Sequence, residues 1–78
     1  MSYFVYMLMC EDSSFYIGTT NDVDKRFAKH VVGKGANYTR THKPVKVVYV
    51  EELTDKSSAL KREHILKKLT HTQKRALL

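Results

Sequence analysis

One segment near the start of the chain restricts the possible folds more than any other. From Tyr3 to Cys10 every residue is aliphatic, aromatic or sulfur-containing, so a strand here presents apolar side chains on both of its faces. Such a strand is typical of the centre of a sheet that is covered on both sides. The run is far shorter than the roughly 20 apolar residues of a membrane span, and it has no basic leader of the kind a signal peptide carries. We therefore expect the central strand of a small sheet.

Chain length and cysteine content limit how this sheet can be stabilised. The 78 residues allow one domain, predicted to span residues 1–78. A single cysteine, Cys10, excludes an internal disulfide framework and a cluster of cysteine-bound metal. A small domain without either fits a reducing compartment. We therefore expect a cytoplasmic protein with no membrane association.

The apolar pattern predicts two further strands. The polar residues 11–14 form a turn after the first strand. Phe15 to Thr19 then predicts a second strand, antiparallel to the first across this short connection. A valine-rich run from Val45 to Glu52 predicts the third strand.

A helix is predicted between the second and third strands. Thr20 or Asn21 can cap its N-terminus, and the glycines at positions 33 and 35 end it. Residues 34–44 show no apolar periodicity and are predicted to form a basic loop. The apolar side of the helix is predicted to consist of Val23, Phe27, His30 and Val31.

Two more helices are predicted after the third strand. The first has Thr54 or Asp55 as its cap and runs through Leu69, and the second runs from Thr70 to Leu78. The resulting order is β-β-α-β-α-α. It predicts an α/β (α+β) fold, in which a small three-stranded antiparallel sheet is flanked by helices.

The net charge of +6 is unevenly distributed along the chain. Residues 25–46 contain seven Lys and Arg and no acid, and residues 61–78 contain six bases with Glu63 as the one acid. Clustered positive charge indicates a phosphate-rich partner such as a nucleic acid. The alternative interpretation is a solvated basic face that keeps the protein soluble.

Two short motifs resemble those of a known family. Phe4-Val5-Tyr6 and Tyr16-Ile17-Gly18 place two tyrosines ten residues apart, and with the order of elements they resemble the GIY-YIG nuclease superfamily over nearly the whole chain. The nearest resemblance is to small stand-alone bacterial members, which are also similar to the nuclease domain of structure-specific endonucleases. Phe4 and Val5 replace the Gly and Ile of the first motif, and Thr19 stands where some members have Lys.

Three further residues match functional positions of that family in type and place, namely Arg26, His30 and Glu63. The resemblance implies an endonuclease that hydrolyses phosphodiester bonds in DNA with one divalent metal ion, Mg²⁺ or Mn²⁺. It implies that Glu63 ligates the metal and that Arg26 binds the scissile phosphate. Tyr16 or His30 would orient or deprotonate the attacking water, and Tyr6 would position that water or Tyr16.

Each of these residues also has a purely structural interpretation. Tyr6 and Tyr16 are good strand residues that can simply belong to the core. Arg26 and His30 share one face of a helix, where they can be a core histidine with satisfied hydrogen bonds and an arginine that extends to solvent. Glu63 falls on the buried edge of its helix, where it can pair with Lys67 four residues later.

The basic loop supplies the predicted contacts with nucleic acid. The residues assigned to DNA binding are Lys34, Asn37, Tyr38, Arg40 and Lys43, with Thr39 also considered for phosphate contact. The alternative is a mobile loop with no functional role. Branched or nicked DNA is the expected substrate, in repair or recombination, with a protein partner supplying targeting. The alternative function is a non-catalytic module that binds nucleic acid or a protein partner on the same fold.

Overall fold

The computed structural model describes residues 2–78, in which three antiparallel strands form one sheet flanked by four helices. The sheet order is β2-β1-β3, which confirms the prediction that the first strand is central. The predicted order of elements is also confirmed, with one short helix added between the first helix and the third strand. The elements are β1 (Tyr3–Cys10), β2 (Phe15–Thr20), α1 (Val23–Val31), α2 (Asn37–Thr41), β3 (Pro44–Leu53), α3 (Lys56–Lys67) and α4 (His71–Arg75).

The two faces of β1 pack against different layers. Val5 and Met7 join Ile17 of β2 in an apolar cluster with Ala59 and Leu66 of α3. The opposite face of β1 carries Tyr6 and Leu8, which are buried as deeply as Val5 and Met7. This face lies on the same side of the sheet as α1 and α2. The sheet therefore separates an apolar core from a layer that contains polar side chains.

Side-chain caps fix the ends of three helices. The Asp22 carboxylate accepts a hydrogen bond from the Lys25 amide and begins α1, so the cap lies one or two residues after the predicted Thr20 or Asn21. Asp55 begins α3 by accepting from the Ser58 amide, as one of the two predicted alternatives. Thr70 begins α4 in a reciprocal capping box with Gln73.

The prediction of a loop over residues 34–44 was wrong at its centre, where the five residues of α2 form a helical turn. This turn has no apolar stripe, and its one buried residue is Thr39, which is 2% exposed and contacts His30 of α1. Val31 was also assigned wrongly to the buried side of α1, since it is 54% exposed at the end of that helix. No helix within residues 2–78 has the length and apolar character that a membrane crossing needs.

The apolar side of the sheet is expected to supply most of the stability. Leu66 is 2% exposed within the cluster beside Met7, so Leu66→Ala should lower the free energy of unfolding by about 2–5 kcal/mol. The matched control is its neighbour Ile65, which is 53% exposed. Ile65→Ala should cost well under about 1 kcal/mol. Chemical denaturation of both variants measures the difference, and equal losses would contradict this assignment of the core.

Candidate active site

A buried hydrogen bond between Tyr6 and His30 connects the central strand to α1. The Tyr6 hydroxyl oxygen lies 2.7 Å from Nε2 of His30, and the two residues are 1% and 0% exposed. A buried polar group without a partner costs free energy, and here each group satisfies the other. The hydrogen bond thus permits two polar side chains inside a small domain.

Two glycines provide the space for this pair. Gly18 of β2 lies directly opposite Tyr6 in the strand register, and a Cβ atom there would come within 2.7 Å of the Tyr6 hydroxyl oxygen. A Cβ atom at Gly35 would overlap the imidazole ring of His30. Both positions therefore require glycine because an aromatic ring approaches the backbone. For Gly18 the sequence suggested such a close approach, whereas Gly35 was interpreted only as a helix end.

Thr39 binds the second ring nitrogen of His30. Its hydroxyl oxygen lies 2.7 Å from Nδ1 and donates to the Ala36 carbonyl oxygen at 3.2 Å. Both nitrogens of His30 are therefore engaged inside the protein. Thr39 was considered for contact with phosphate, and this expectation was wrong because its side chain is buried against His30.

Tyr16 lies beside the pair but is more accessible. Its ring centroid is 6.3 Å from that of Tyr6 and 5.0 Å from that of His30, and its side chain is half-buried. In the register Tyr16 pairs with Leu8 and Tyr6 pairs with Gly18. The two phenols are therefore diagonal neighbours on one face of the sheet and do not lie directly opposite each other.

Arg26 completes what we call the tyrosine cluster, which consists of Tyr6, Tyr16, Arg26 and His30. It lies one turn before His30 on α1 and is half-buried. With Lys25 and Lys29 it lines a small cleft of about 170 Å³. The Asp22 carboxylate also lines this cleft, so the three cations leave it with a net positive charge, which favours an anionic ligand such as a phosphate group.

The electrostatics of the cluster keep its buried members neutral. Burial raises the pKa of Tyr6 well above its usual value, and Tyr16 and Glu63 raise it further, whereas the charge of Arg26 opposes this shift. Burial also lowers the pKa of His30, and the neighbouring Arg26 lowers it further. At neutral pH the phenol of Tyr6 therefore keeps its proton and the imidazole of His30 is uncharged.

Glu63 lies on α3, whose buried residues Ala59 and Leu66 pack on the other face of the sheet from Tyr6. Its side chain is 16% exposed, and its Oε2 atom lies 2.7 Å from Nζ of Lys67. The salt bridge of the structural interpretation is therefore present. The charge of the same carboxylate raises the pKa of Tyr6, as the smallest of the named causes.

The side chains present could hold a divalent metal ion through one carboxylate, with the other ligands coming from water and substrate. Within residues 2–78 no three His, Cys, Asp or Glu side chains come together as a ligand set, so the protein alone cannot surround an ion. Mg²⁺ prefers oxygen ligands and commonly keeps several waters while bound to one or two carboxylates and a substrate phosphate. The single, mostly buried carboxylate of Glu63 meets this minimal requirement.

The residues assigned to DNA binding lie along the surface of the segment that contains α2. Lys34, Asn37 and Arg40 border one shallow depression, and Arg40 and Lys43 border a second. Tyr38 stacks on His42 with ring centroids 4.1 Å apart and lies 6.0 Å from Tyr16. The basic segment is therefore continuous with the tyrosine cluster through Tyr38.

Comparison with known proteins identifies similar chains along nearly the full length. A family model described as the GIY-YIG catalytic domain matches residues 2–76. A UPF0213 protein of Cupriavidus necator is 48% identical over 75 residues, which cover 96% of this chain and 82% of the relative. A UPF0213 protein of Staphylococcus epidermidis is 50% identical over 72 residues, which cover 92% of this chain and 88% of the relative.

Two solved structures share the fold. The solution NMR structure of a UPF0213 protein from Bacillus halodurans has a TM-score of 0.61 and 42% sequence identity, and the match covers 99% of this chain and 82% of that one. The solution NMR structure of a protein from E. faecalis has a TM-score of 0.63 and 38% identity, with coverage of 95% and 79%. The three-stranded sheet with its flanking helices is therefore an architecture that experimentally determined relatives share.

The burial of neutral His30 predicts a specific pH dependence of stability. The pKa of His30 is lowered by folding, so below a pH of about 6.5 the unfolded chain binds a proton that the folded protein does not bind. The free energy of unfolding should therefore fall as the pH is lowered from 7.5 to 5.5. Chemical denaturation at a series of pH values measures this loss.

His30→Gln should remove that part of the pH dependence even if it lowers stability at every pH. His64→Gln is the matched control, because His64 is an exposed histidine on α3 and its loss should leave the dependence in place. A His30→Gln variant that follows the wild-type pH profile would contradict the assignment of a neutral, buried imidazole.

Proposed function

This chain belongs to the GIY-YIG family, and from that premise we propose that it is a metal-dependent endonuclease that hydrolyses phosphodiester bonds in DNA. The observation that carries the proposal is the buried hydrogen bond between Tyr6 and His30 next to the cation Arg26. An apolar pair would fill the same volume without the cost of desolvating two polar groups. A buried, hydrogen-bonded phenol and imidazole beside the cation Arg26 therefore favour a role in chemistry over a role in packing alone.

Arg26 is the residue we assign to the scissile phosphate. Its guanidinium group offers several N–H donors in a planar array that suits phosphate oxygens. The adjacent Lys25 and Lys29 make the cleft attractive to an anion before any reaction occurs. Arg26 also opposes the negative charge that grows on the phosphate in the transition state.

Tyr16 is the residue we assign to the attacking water. It is the more accessible of the two phenols in the tyrosine cluster, whereas Tyr6 is buried and its hydroxyl oxygen is hydrogen-bonded to Nε2 of His30. His30 is fully buried with both nitrogens bonded, so it acts on the reaction through Tyr6. Tyr6 and His30 then hold the position of the ring of Tyr16. Tyr16 orients the water or, once its own hydroxyl proton has passed to solvent, accepts a proton from that water.

Glu63 is the residue we assign to a divalent metal ion, Mg²⁺ or Mn²⁺. A bound ion of this kind polarises a phosphate oxygen and stabilises the leaving oxygen. Lys67 neutralises the carboxylate through the ion pair at 2.7 Å. The deep position of Glu63 in its helix limits the directions in which the carboxylate can turn.

The finer features of the substrate follow from the family resemblance. The proposal includes branched or nicked DNA, a link to repair or recombination, a protein partner that supplies targeting, and a cytoplasmic location. The basic segment, with Lys34, Asn37, Tyr38, Arg40 and Lys43, is the surface assigned to the DNA backbone.

A second candidate function is a non-catalytic module that binds nucleic acid or a protein partner. The ion pair between Glu63 and Lys67 favours this alternative, because it already satisfies the carboxylate.

Removal of the Glu63 charge distinguishes the two functions. Glu63→Gln should abolish cleavage of branched, flap and duplex DNA in Mg²⁺ or Mn²⁺, because the amide is a poor ligand for either ion. DNA affinity without metal should stay the same or rise, since one negative charge near phosphate is lost. The loss of the salt bridge should change the free energy of unfolding by only a few tenths of a kcal/mol, about 0.2–0.5.

The matched control is Glu52→Gln, which removes an exposed carboxylate on β3 and should leave cleavage intact. Cleavage time courses and thermal melts of both variants measure the outcome. Wild-type cleavage rates in Glu63→Gln would remove Glu63 from the site. A wild-type protein that binds DNA but cuts none of the substrates with several divalent metals would establish the non-catalytic module instead.

The basic segment predicts a salt-dependent affinity. Each phosphate neutralised on duplex DNA adds about 0.9 to the slope of the logarithm of affinity against the logarithm of salt. The double variant Arg40→Ala, Lys43→Ala should therefore flatten this slope by up to about two. The control replaces Lys56 and Lys61 of α3 with Ala. An unchanged slope in the first variant would rule out the segment around α2 as the binding surface, and a flatter slope in the control would place that surface on α3.

A further inference from the structure

Thr39 has a contact that its exposed neighbours on α2 lack. It is 2% exposed, and its hydroxyl oxygen lies 2.7 Å from His30 Nδ1 and 3.2 Å from the Ala36 carbonyl oxygen. The next residue, Arg40, and the preceding ones, Asn37 and Tyr38, face solvent. A buried threonine within a basic surface segment therefore has a task different from that of its neighbours.

The single proton of the Thr39 hydroxyl has two acceptors within reach, the Ala36 carbonyl oxygen and Nδ1 of His30. When it points to Ala36, the hydroxyl oxygen of Thr39 accepts from Nδ1 of His30. A neutral imidazole has one N–H group, so Nε2 is then unprotonated and accepts from Tyr6. In that arrangement the chain of donors runs in one direction, from Tyr6 through His30 and Thr39 to Ala36.

We propose that Thr39 is a positioning residue, which holds His30 in the tautomer with its proton on Nδ1 and thereby aims the hydroxyl proton of Tyr6 at Nε2. This inference rests on the proposed nuclease function and adds to it a residue outside the family motifs. With its proton directed toward His30, Tyr6 presents the lone pairs of its oxygen to the other members of the tyrosine cluster.

The charge of Arg26 agrees with this orientation. A cation close to the Tyr6 hydroxyl is stabilised by the oxygen lone pairs and repelled by an O–H group that points toward it. Without Thr39, the His30 proton would be free to move to Nε2, as in most uncharged imidazoles in water. Nε2 would then donate to the Tyr6 oxygen, and the phenolic proton would turn away from His30 toward Arg26.

The backbone between α1 and α2 makes a turn that brings Thr39 next to His30. Gly33 has a positive φ of 79°, which turns the chain after α1 at little cost for glycine. Gly35 lies against the imidazole ring, where a Cβ atom would overlap it. The turn thereby returns the chain to His30 nine residues later in the sequence.

The tautomer of His30 can be measured without DNA or metal. We would replace Thr39 with Val, which keeps the shape and removes the hydroxyl, and record the ¹⁵N shifts of the imidazole at pH 7.5. The wild type should show a protonated Nδ1 and an unprotonated Nε2, and Thr39→Val should move the proton to Nε2 in at least part of the molecules. Thr39→Ser, which keeps the hydroxyl, should restore the wild-type spectrum.

The matched control is Thr41→Val on the same helix. Thr41 is exposed and its hydroxyl donates to the Tyr38 carbonyl oxygen, so its loss should not alter the His30 spectrum. A wild-type tautomer in folded Thr39→Val would overturn the proposal. If Thr39→Val does not fold, Thr39→Ala carries the same test, since it also lacks the hydroxyl, with Thr39→Ser again as the rescue.

Cleavage kinetics distinguish a positioning role of Thr39 in the reaction from a role in the folded structure alone. Thr39→Val should lower kcat roughly 10- to 100-fold, with KM changed far less, because the reacting groups are misplaced while the basic surface is intact. Thr39→Ser should recover most of the rate. A shifted tautomer with an unchanged kcat would overturn the positioning role. Absence of cleavage by the wild type would refute the proposed function, while the ¹⁵N spectra would still decide whether Thr39 sets the tautomer.

Discussion

The hydrogen bond between Tyr6 and His30 joins the central strand to the first helix at a point where neither group meets water. An unsatisfied polar group at such a point costs about 1–3 kcal/mol, a large share of the stability of a domain this small. Several features of the surrounding chain accommodate this bond. Gly18 has no side chain under the phenol, Gly35 has none against the imidazole, and Thr39 satisfies the remaining ring nitrogen.

The two faces of β1 differ in the kind of side chain that they bury. One face packs Val5 and Met7 on Leu66 of α3, with no hydrogen-bonding requirement. The other face has to accommodate polar side chains, and it does so only because their donors and acceptors match. A chain of 78 residues buries only roughly 60–65% of its unfolded surface, so it has little apolar area with which to offset an unsatisfied group. The three deeply buried polar side chains of this layer, Tyr6, His30 and Thr39, are accordingly hydrogen-bonded to one another.

Much of this arrangement could be predicted from the sequence. The strands follow from local apolar patterns, and the grouping of Tyr6 with His30 follows from motif spacing and helix phase. The contact of Thr39 with His30 could not be predicted, because α2 has five residues and no apolar period, and a contact across nine residues holds it in place. For Glu63, helix phase correctly placed the side chain at a buried edge. Phase alone does not say which face of the sheet a helix covers, so its role as a metal ligand stays a prediction.

The size of the cleft at Arg26 also bears on the kind of ligand it can take. Its volume of about 170 Å³ is smaller than the roughly 300–1,000 Å³ of pockets that enclose small molecules. A larger groove of about 570 Å³ lies along α3 between Leu60 and Ile65, and no member of the tyrosine cluster lines it. A small basic cleft beside the edge strand β2 suits one phosphate of a polymer whose remaining charges lie on the surface. The cleft at Arg26 is therefore large enough for a single phosphate group but too small to enclose a metabolite of ordinary size.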